Sequence, residues 1–305
     1  MQQERVSEIS EKLDLTIEAE GARLAACYYP PRGTARANLV LHGATGVPQR
    51  YYAPFAAWAS TYGIGVLTYD YRDFGASQHR PMRESDATFT DWAMRDQAAA
   101  ERKLIELAPQ GPLWVLGHSL GGLTFMFRKH DERVERITTI GAGFGHVSDH
   151  PWSYRPIALA FWYVLGPVGT TIAGYLPGKR MFLGADLPAG VYWQWRKWCT
   201  RRDFFRSDIG ASLPEPDFRM AGPALRMLTS KDDVVVPPLA VQRYADAFPE
   251  GRVEFRMLSP AEFGLRSLRH IEVFSKSAAA AWPAILGLPH GSFEDARPSA
   301  AIICS

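Results

Sequence analysis

Short apolar runs rich in β-branched and aromatic residues recur along the first half of the chain. They cover residues 24–29, 37–41, 65–69, 113–116 and 137–140. Such runs predict buried β-strands. Between the third and fourth runs, residues 92–107 have the spacing of an amphipathic helix, with Asp91 near its start. Strands that alternate with helices predict a mostly parallel central sheet flanked by helices.

The pattern changes between residues 146 and 214, where Trp, Tyr, Phe, Gly and Pro are dense and no comparable strand run occurs. Strand runs return at 224–228 and 253–257, with a helical segment at 238–248 between them and an Ala-rich helix at 275–286. We therefore predict an α/β core made of residues 1–145 and 215–290. A helical, aromatic-rich insertion covers 146–214, and a loose C-terminal tail covers 291–305.

One segment of this insertion has the length of a membrane span, because residues 157–176 are 20 consecutive residues without a charge. Gly166 and Pro167 interrupt it, and Thr170 and Thr171 add polar groups near its middle. A chain interrupted in this way would leave backbone groups unsatisfied in lipid. We expect two short buried or interfacial helices there rather than one span.

Composition and charge narrow the class of protein. Of 305 residues, 47% are hydrophobic and 22% charged, as in an ordinary globular domain. A net charge of +2 offers no strong field for nucleic acid or anionic lipid, so neither nucleic acid nor a membrane is an expected partner. The three cysteines are widely separated, which fits neither a disulfide framework nor a metal site. The N-terminus lacks the pattern of a secretory signal, and we expect a cytoplasmic protein.

A Gly-His-Ser-Leu-Gly sequence at residues 117–121 directly follows the predicted strand at 113–116, and a helix-compatible run comes after it. A serine on so tight a turn has strained backbone, and glycines two residues before and after it permit close approach of neighbouring segments. A plain turn with an incidental serine is the alternative. The strand-turn-helix context favours a nucleophile elbow with Ser119 as the nucleophile.

A serine hydroxyl is a weak nucleophile and needs a base that a third group holds in place. Asp232 and Asp233 follow the strand at 224–228 and are placed at the C-terminal edge of the sheet, where such sheets bind ligands. A solvated turn carboxylate is the alternative for either. Asp149, at the start of the insertion, is a more distant candidate for the acid.

The base is expected on a loop after the last strand, where His270 occurs. An isolated histidine is more often a packed or surface residue than a catalyst. His290 is a rival, but it lies beyond the closing helix and is too far along the chain to reach the elbow. His118, inside the elbow, is expected to shape the site rather than to serve as its base.

Acyl chemistry also needs preorganised donors for a developing oxyanion. The amide of Leu120, directly after the serine, is the first candidate. The second is expected from the Gly-rich loop after residues 37–41, with Ala44 preferred, Thr45 next, and a plain glycine turn as the alternative. We expect His42 and Thr45 to line the site together with His118.

Together these segments resemble the α/β-hydrolase superfamily over nearly the whole chain. The family's link between sheet and helix is similar to residues 69–77, where Asp73 replaces a glycine, so we expect an altered turn that leaves the triad intact. Asp233 stands four residues before Pro237, as in the acid turn of many members, and is preferred over Asp232. More narrowly, the chain resembles lid-bearing bacterial hydrolases related to serine aminopeptidases and monoacylglycerol lipases. The resemblance implies an α/β-hydrolase fold with a helical lid inserted after the sixth strand.

A lid of this composition would form a largely apolar ceiling for an acyl chain or an aromatic group, with Trp162 and Trp195 as candidate lining residues. Alternatively, the aromatic side chains only pack the insertion onto the body. They are Trp152, Phe161, Trp162, Tyr163, Tyr192, Trp193, Trp195 and Trp198. Basic residues at 196, 197, 201, 202 and 206 fit either the steering of an acidic substrate or a solvated helix face.

The combined pattern predicts a serine hydrolase that cleaves a carboxylic ester of a small or medium apolar acyl or aromatic substrate through an acyl-enzyme on Ser119. Such chemistry requires no cofactor and no metal. Amide, thioester or carbon–carbon cleavage and acyl transfer would reuse the same residues and stay open. The other class of function is a non-catalytic or membrane-surface binding protein, which would need no intact elbow, acid and histidine.

Overall fold

A computed structural model describes residues 12–181 and 183–288 of the chain. Eight of its strands form one sheet, and two short strands form a separate antiparallel pair. The strands of the sheet are β1 (Leu13–Ala19), β2 (Ala22–Tyr29), β3 (Ala37–His42), β4 (Ile64–Tyr69), β5 (Leu113–His118), β6 (Val134–Ile140), β9 (Ala224–Ser230) and β10 (Val253–Leu258), and the pair is β7 (Tyr175–Leu176) and β8 (Leu187–Pro188). The order in the sheet is β1-β2-β4-β3-β5-β6-β9-β10, and from β4 to β10 all neighbours are parallel.

Helices connect the parallel strands. They are α1 (Ala53–Thr61), α2 (Phe89–Asp91), α3 (Gln97–Leu107), α4 (Arg155–Ala160), α5 (Gly166–Ala173), α6 (Ala189–Cys199), α7 (Pro238–Ala245) and α8 (Trp282–Leu286). Five-residue π-helical segments join α2 to α3 and α4 to α5. The apolar residues form two separate buried clusters, and every residue of β3 and β4 is buried. This is the sheet with covered faces that the alternating pattern predicts.

The sequence prediction missed β1, which pairs antiparallel with β2. Of its seven residues only Ile17 is buried, so the strand lacks the dense apolar run that marks the others. Its apolar residues instead alternate with polar ones, which is the pattern of a half-buried strand, and a prediction based on dense apolar runs does not detect it.

Two short α-helices, α4 and α5, occupy this stretch as predicted, but no break at Gly166 and Pro167 separates them. Residues Arg155–Ala173 form one continuous helical segment of 19 residues. A π-helical turn at Phe161–Leu165 precedes Pro167, and such a turn accommodates the missing N–H and the bulk of a proline ring. Among the described residues this is the one helix long and apolar enough to cross a membrane by length and composition, and 22% of its most apolar stretch is buried.

The chain after the elbow also differs from expectation. Residues Ser119–Gly122 and Phe125–Phe127 form short 3₁₀ turns, not an α-helix. Two consecutive glycines at 121 and 122 explain the difference, since glycine is a poor helix former. The predicted closing helix consists of a 3₁₀ segment at Lys276–Ala281 followed by α8.

The insertion at residues 146–214 contains α4, α5 and α6 and touches loops at the C-terminal ends of the parallel strands. A β-carbon on Gly46, after β3, would lie 2.7 Å from the carbonyl oxygen of Leu183. His150 Nδ1 donates to the carbonyl oxygen of Val234, after β9, at 3.0 Å. The insertion therefore packs on the edge of the sheet where the predicted site residues lie.

Candidate active site

Ser119 occupies the sharp turn at the end of β5. Its φ is +53°, in the left-handed region that non-glycine residues rarely adopt. A β-carbon on Gly117 would lie 2.4 Å from the Cα of Gly122, and one on Gly121 would lie 2.1 Å from the carbonyl oxygen of His42. Glycine is therefore required at both positions flanking the serine, and the strained backbone presents the Ser119 side chain above the sheet.

Ser119, His270 and Asp233 are joined by hydrogen bonds. His270 Nε2 lies 2.9 Å from Ser119 Oγ, and His270 Nδ1 lies 2.6 Å from Asp233 Oδ2. The other carboxylate oxygen, Asp233 Oδ1, accepts from the amides of Val235 and Val236 at 2.9 and 2.8 Å. The structure brings together the three residues that the sequence singled out, and the acid is fixed from both sides.

Asp232, the second candidate for the acid, holds the loop that carries His270. Its two oxygens accept from the amides of Leu268 at 3.0 Å and of Arg269 at 2.9 Å. Arg269 has a φ of +47°, so this clamp holds the residue before His270 in strained backbone. Asp232 is a neighbour of the triad, not a member of it.

The other rivals do not reach the triad. Asp149 accepts from Arg243 Nη1 at 2.9 Å and from the amide of His146 at 2.9 Å, at the start of the insertion. Burial opposes ionisation, but the Arg243 guanidinium and the amide keep the pKa of Asp149 below its usual value. His290 and the predicted tail lie outside the described residues.

His118 is fully buried and bonded at both ring nitrogens. Tyr52 Oη donates to His118 Nδ1 at 2.8 Å, and His118 Nε2 donates to the carbonyl oxygen of His270 at 3.0 Å. Burial holds the pKa of His118 well below its usual value, so the ring is neutral, and its partners select the Nε2–H tautomer. His118 therefore supports the backbone at His270, and Tyr52 is a site residue that the sequence did not reveal.

The loop after β3 places its donors differently from expectation. The amide of Ala44, the preferred second oxyanion donor, donates to Tyr52 Oη at 2.8 Å and is thus already paired inside the protein. Leu120 stands in the first turn of a 3₁₀ segment, where an amide has no intrahelical acceptor. Thr45 is buried, and its Oγ1 has no hydrogen-bond partner in the part of the chain that the structure describes. Of the two residues considered in this loop, Thr45 is the one that has an unpaired group within the described residues.

His42 does not line the site, in contrast to the expectation. Its Nδ1 is 2.7 Å from Tyr69 Oη and its Nε2 is 3.2 Å from Glu101 Oε1, so both ring nitrogens face a buried polar cluster. Burial lowers the pKa of His42. Burial would raise the pKa of Glu101, but Arg128 and His130 hold it well below its usual range. This ionised carboxylate anchors the end of β3 from behind.

Trp162 and Trp195 pack within the insertion. Their ring centroids are 4.8 Å apart, and Trp162 also stacks on Tyr192. Trp162 is buried, with 6% of its surface exposed. These contacts match the alternative in which the aromatic residues hold the insertion together, and they do not place either ring against Ser119.

Besides Ser119 and Arg269, Gly141 and Asp73 also have positive φ. Gly141, directly after β6, has a φ of +62°, and a β-carbon there would lie 3.0 Å from His270 Cε1 and 3.3 Å from Asp233 Oδ2. Gly141 was not predicted as a site residue, because a glycine after a strand has no side chain that would indicate a catalytic role. Asp73, which replaces a family glycine, keeps the glycine conformation with a φ of +54° and bonds to Arg80 and Ser85. Its turn is thus retained, away from the triad.

Residues 39–289 match the family model described as the alpha/beta hydrolase family, which covers most of the chain. The chain belongs to the alpha/beta hydrolase family. The strand order, the elbow and the serine–histidine–aspartate contacts of this hydrolase fit that assignment. No curated protein sequence matches the hydrolase.

Solved structures similar to this hydrolase share its fold at low sequence identity. A soluble variant of monoglyceride lipase from Saccharomyces cerevisiae, in complex with a substrate analog, is 15% identical with a TM-score of 0.61, over 92% of this chain and 95% of that one. The enol-lactonase from Burkholderia xenovorans LB400 is 18% identical with a TM-score of 0.56, over 90% and 98%. XC6422 from Xanthomonas campestris, described as a serine hydrolase without a lid, is 13% identical with a TM-score of 0.52, over 92% and 96%.

Proposed function

We propose that this hydrolase cleaves a carboxylic ester through an acyl-enzyme on Ser119. The observation that carries the proposal is the continuous relay from Asp233 through His270 to Ser119, with heavy-atom distances of 2.6 and 2.9 Å. These distances lie within the range needed for proton transfer in the ground state. The strained φ of Ser119 and the half-buried position of its side chain are further support.

The proposed reaction begins when His270 Nε2 removes the proton from Ser119 Oγ as the oxygen attacks the ester carbonyl. Asp233 accepts the hydrogen bond from Nδ1 and stabilises the imidazolium that forms. The leaving alkoxide takes the proton from Nε2, and an acyl-serine remains. Water, deprotonated by His270, then releases the acid and restores the serine.

The developing oxyanion would be met by the amide of Leu120 and by Thr45. The amide of Ala44 is engaged by Tyr52, whereas the Thr45 hydroxyl is buried and unpaired within the described residues. A buried hydroxyl without a partner is costly, and an oxyanion would satisfy it.

The substrate we propose has a small or medium apolar acyl or aromatic group. The many aromatic and aliphatic residues of the insertion, which packs on this edge of the sheet, support that choice. Two of the similar structures are by name a lipase and a lactonase, and glycerides and lactones are both carboxylic esters. Amide and thioester cleavage use the same relay and serve as comparison substrates.

The test is turnover of p-nitrophenyl esters of graded acyl length by the wild type and by Ser119→Ala. We expect kcat to fall by about a thousandfold or more in the variant, because the covalent step is lost. Ser277→Ala, which alters an exposed serine of the described chain, is the control and should keep full activity. Equal turnover by Ser119→Ala and the wild type would overturn the role of Ser119.

A further inference from the structure

The helical segment Arg155–Ala173 presents an apolar surface to solvent. Seven of its side chains are between 42% and 82% exposed. They form what we call the apolar face: Ile157, Leu159, Tyr163, Val164, Leu165, Val168 and Ile172. No charged residue occurs from Pro156 to Gly178, so nothing on this segment offsets the exposure of hydrocarbon to water.

The opposite side of the same segment is fixed to the protein. Ala158, Trp162, Gly166 and Thr170, spaced four residues apart, are buried. Trp162 stacks on Tyr192 of α6, and its carbonyl oxygen accepts from Arg196 Nε. The segment is therefore held flat against the body with one apolar side outward. Isolated exposed apolar residues are ordinary, but a contiguous set on one helix marks an interaction surface.

Basic residues lie at both ends of the apolar face and beside Tyr163. The insertion at 146–214 contains eight Arg or Lys and four Asp, a net charge of +4, whereas the whole chain carries +2. The Arg155 guanidinium lies 4.2 Å from the ring centroid of Trp152, which is 81% exposed, and that of Arg196 lies 5.5 Å from the Tyr163 ring. Lys179 and Arg180 follow directly after the uncharged stretch.

We propose that the apolar face lies in the interfacial region of an anionic lipid bilayer, with the helix parallel to the membrane plane. Exposed Trp and Tyr beside Arg, an apolar helix face and a basic rim are the features that hold a helix at the boundary between headgroups and acyl chains. The buried side of the helix is occupied by the protein, so the segment lies on the bilayer and does not cross it.

A second copy of the chain fits this surface less well. Two-fold pairing through the apolar face would bring the basic rims of both copies together, and like charges across an interface oppose association. The chain-wide charge had argued against a membrane partner. The excess of positive charge within the insertion and the exposed apolar face nevertheless favour an anionic membrane surface.

The proposal is tested by co-sedimentation of the full chain with vesicles of equal parts phosphatidylglycerol and phosphatidylcholine. A triple variant, Val164→Asn, Val168→Asn and Ile172→Asn, makes the apolar face polar with residues of similar helix propensity. The control triple variant, Leu13→Asn, Leu239→Asn and Met257→Asn, changes apolar residues outside the insertion that are about half exposed, as Val164 and Val168 are. We expect the first variant to lose at least about tenfold in partitioning and the control to bind like the wild type.

Vesicles of phosphatidylcholine alone, or 0.5 M salt, should weaken the binding of the wild type, since both remove the charge attraction. Wild-type protein that stays in the supernatant with the anionic vesicles would overturn the proposal, and so would equal binding by the two triple variants. A dimer seen by light scattering without vesicles, and lost only in the Val164/Val168/Ile172 variant, would assign the face to a second copy and also overturn it. Ser119→Ala should sediment like the wild type, so this result is independent of the proposed catalysis.

Discussion

Two buried side chains, Tyr52 and His118, connect the loop after β3 to the loop that carries His270. The chain of bonds runs from the amide of Ala44 to Tyr52 Oη, from that hydroxyl to His118 Nδ1, and from His118 Nε2 to the carbonyl oxygen of His270. The Tyr52 hydroxyl accepts from the Ala44 amide and donates to His118 Nδ1, so the proton of the His118 ring must be on Nε2. The position of the base is therefore set in part by a tyrosine that does not contact Ser119.

Tyr52→Phe removes the first two of these three hydrogen bonds while it keeps the ring. We expect the free energy of unfolding to fall by about 1 to 3 kcal/mol, because the Ala44 amide and His118 Nδ1 lose a buried partner. We also expect kcat for a p-nitrophenyl ester to fall by about tenfold with little change in KM, because His270 is less well positioned.

Urea unfolding and steady-state kinetics measure the two effects of Tyr52→Phe. Tyr62→Phe is the matched control, since that ring packs on Trp58 at the end of α1 and its residue is only partly buried. A loss of stability with kcat unchanged would show that Tyr52 serves the fold alone and would contradict the positioning role.

At the scale of the elements, the candidate active site is assembled from the ends of neighbouring parallel strands. Ser119 follows β5, Asp233 follows β9, and Gly141 ends β6 between them in the sheet. His270 comes from the loop after β10. Because β6 lies between β5 and β9, the backbone after it runs close to the histidine and the acid, and a β-carbon at Gly141 would press on both side chains.

Gly141→Ala is expected to lower kcat strongly and the free energy of unfolding only moderately. The alanine adopts a left-handed φ at a cost of about 1 to 2 kcal/mol, and its β-carbon meets His270 Cε1. Displacement of the ring should lower kcat about tenfold or more. Gly251→Ala is the control, since its φ of +75° carries the same backbone cost with no atom within 4 Å. Equal activity of the two variants would refute the contact as the cause.

The same elements show why part of the molecule was predictable from sequence. Most strands were found because each contains a short run of apolar residues, and Ser119, Asp233 and His270 were found because their residue types stand in the right order along those strands. β1 was missed because its apolar residues alternate with polar ones and form no such run. Tyr52 and Gly141 were missed because their roles depend on which loops meet in space, and neither residue type marks that meeting.

The continuous helical segment Arg155–Ala173 is another feature that the residue pattern alone did not predict. Its sequence contains the signals of a break, Gly166 and Pro167, and those signals are real. In the structure, one π-helical turn accommodates Gly166 and Pro167 without a break, and the buried side of the helical segment packs on α6. The packing of Trp162 on α6 outweighs the local preference of Gly166 and Pro167 for a break. Such a tertiary contact cannot be predicted from the residue pattern alone.

For the whole molecule, the buried histidines determine how stability depends on pH. Burial lowers the pKa of four histidines in the described chain, at positions 42, 118, 146 and 150. A group whose pKa is lower in the folded state stabilises the fold above its unfolded pKa, near 6.5, and this stabilisation is lost as the pH falls toward the folded pKa. Asp96 acts in the opposite sense, because burial raises its pKa to about 6.

Burial also raises the pKa of Asp70, but the four histidines outnumber these two aspartates, so unfolding should take up protons between pH 7.5 and 5.5. We expect the free energy of unfolding to fall by about 1 to 3 kcal/mol over that range, measured by urea unfolding at constant ionic strength. His150→Gln removes one of the four groups and should make the fall smaller, whereas His79→Gln, at an exposed histidine, should leave it unchanged. Stability that rises toward pH 5.5 would mean that the buried histidines are protonated in the folded protein.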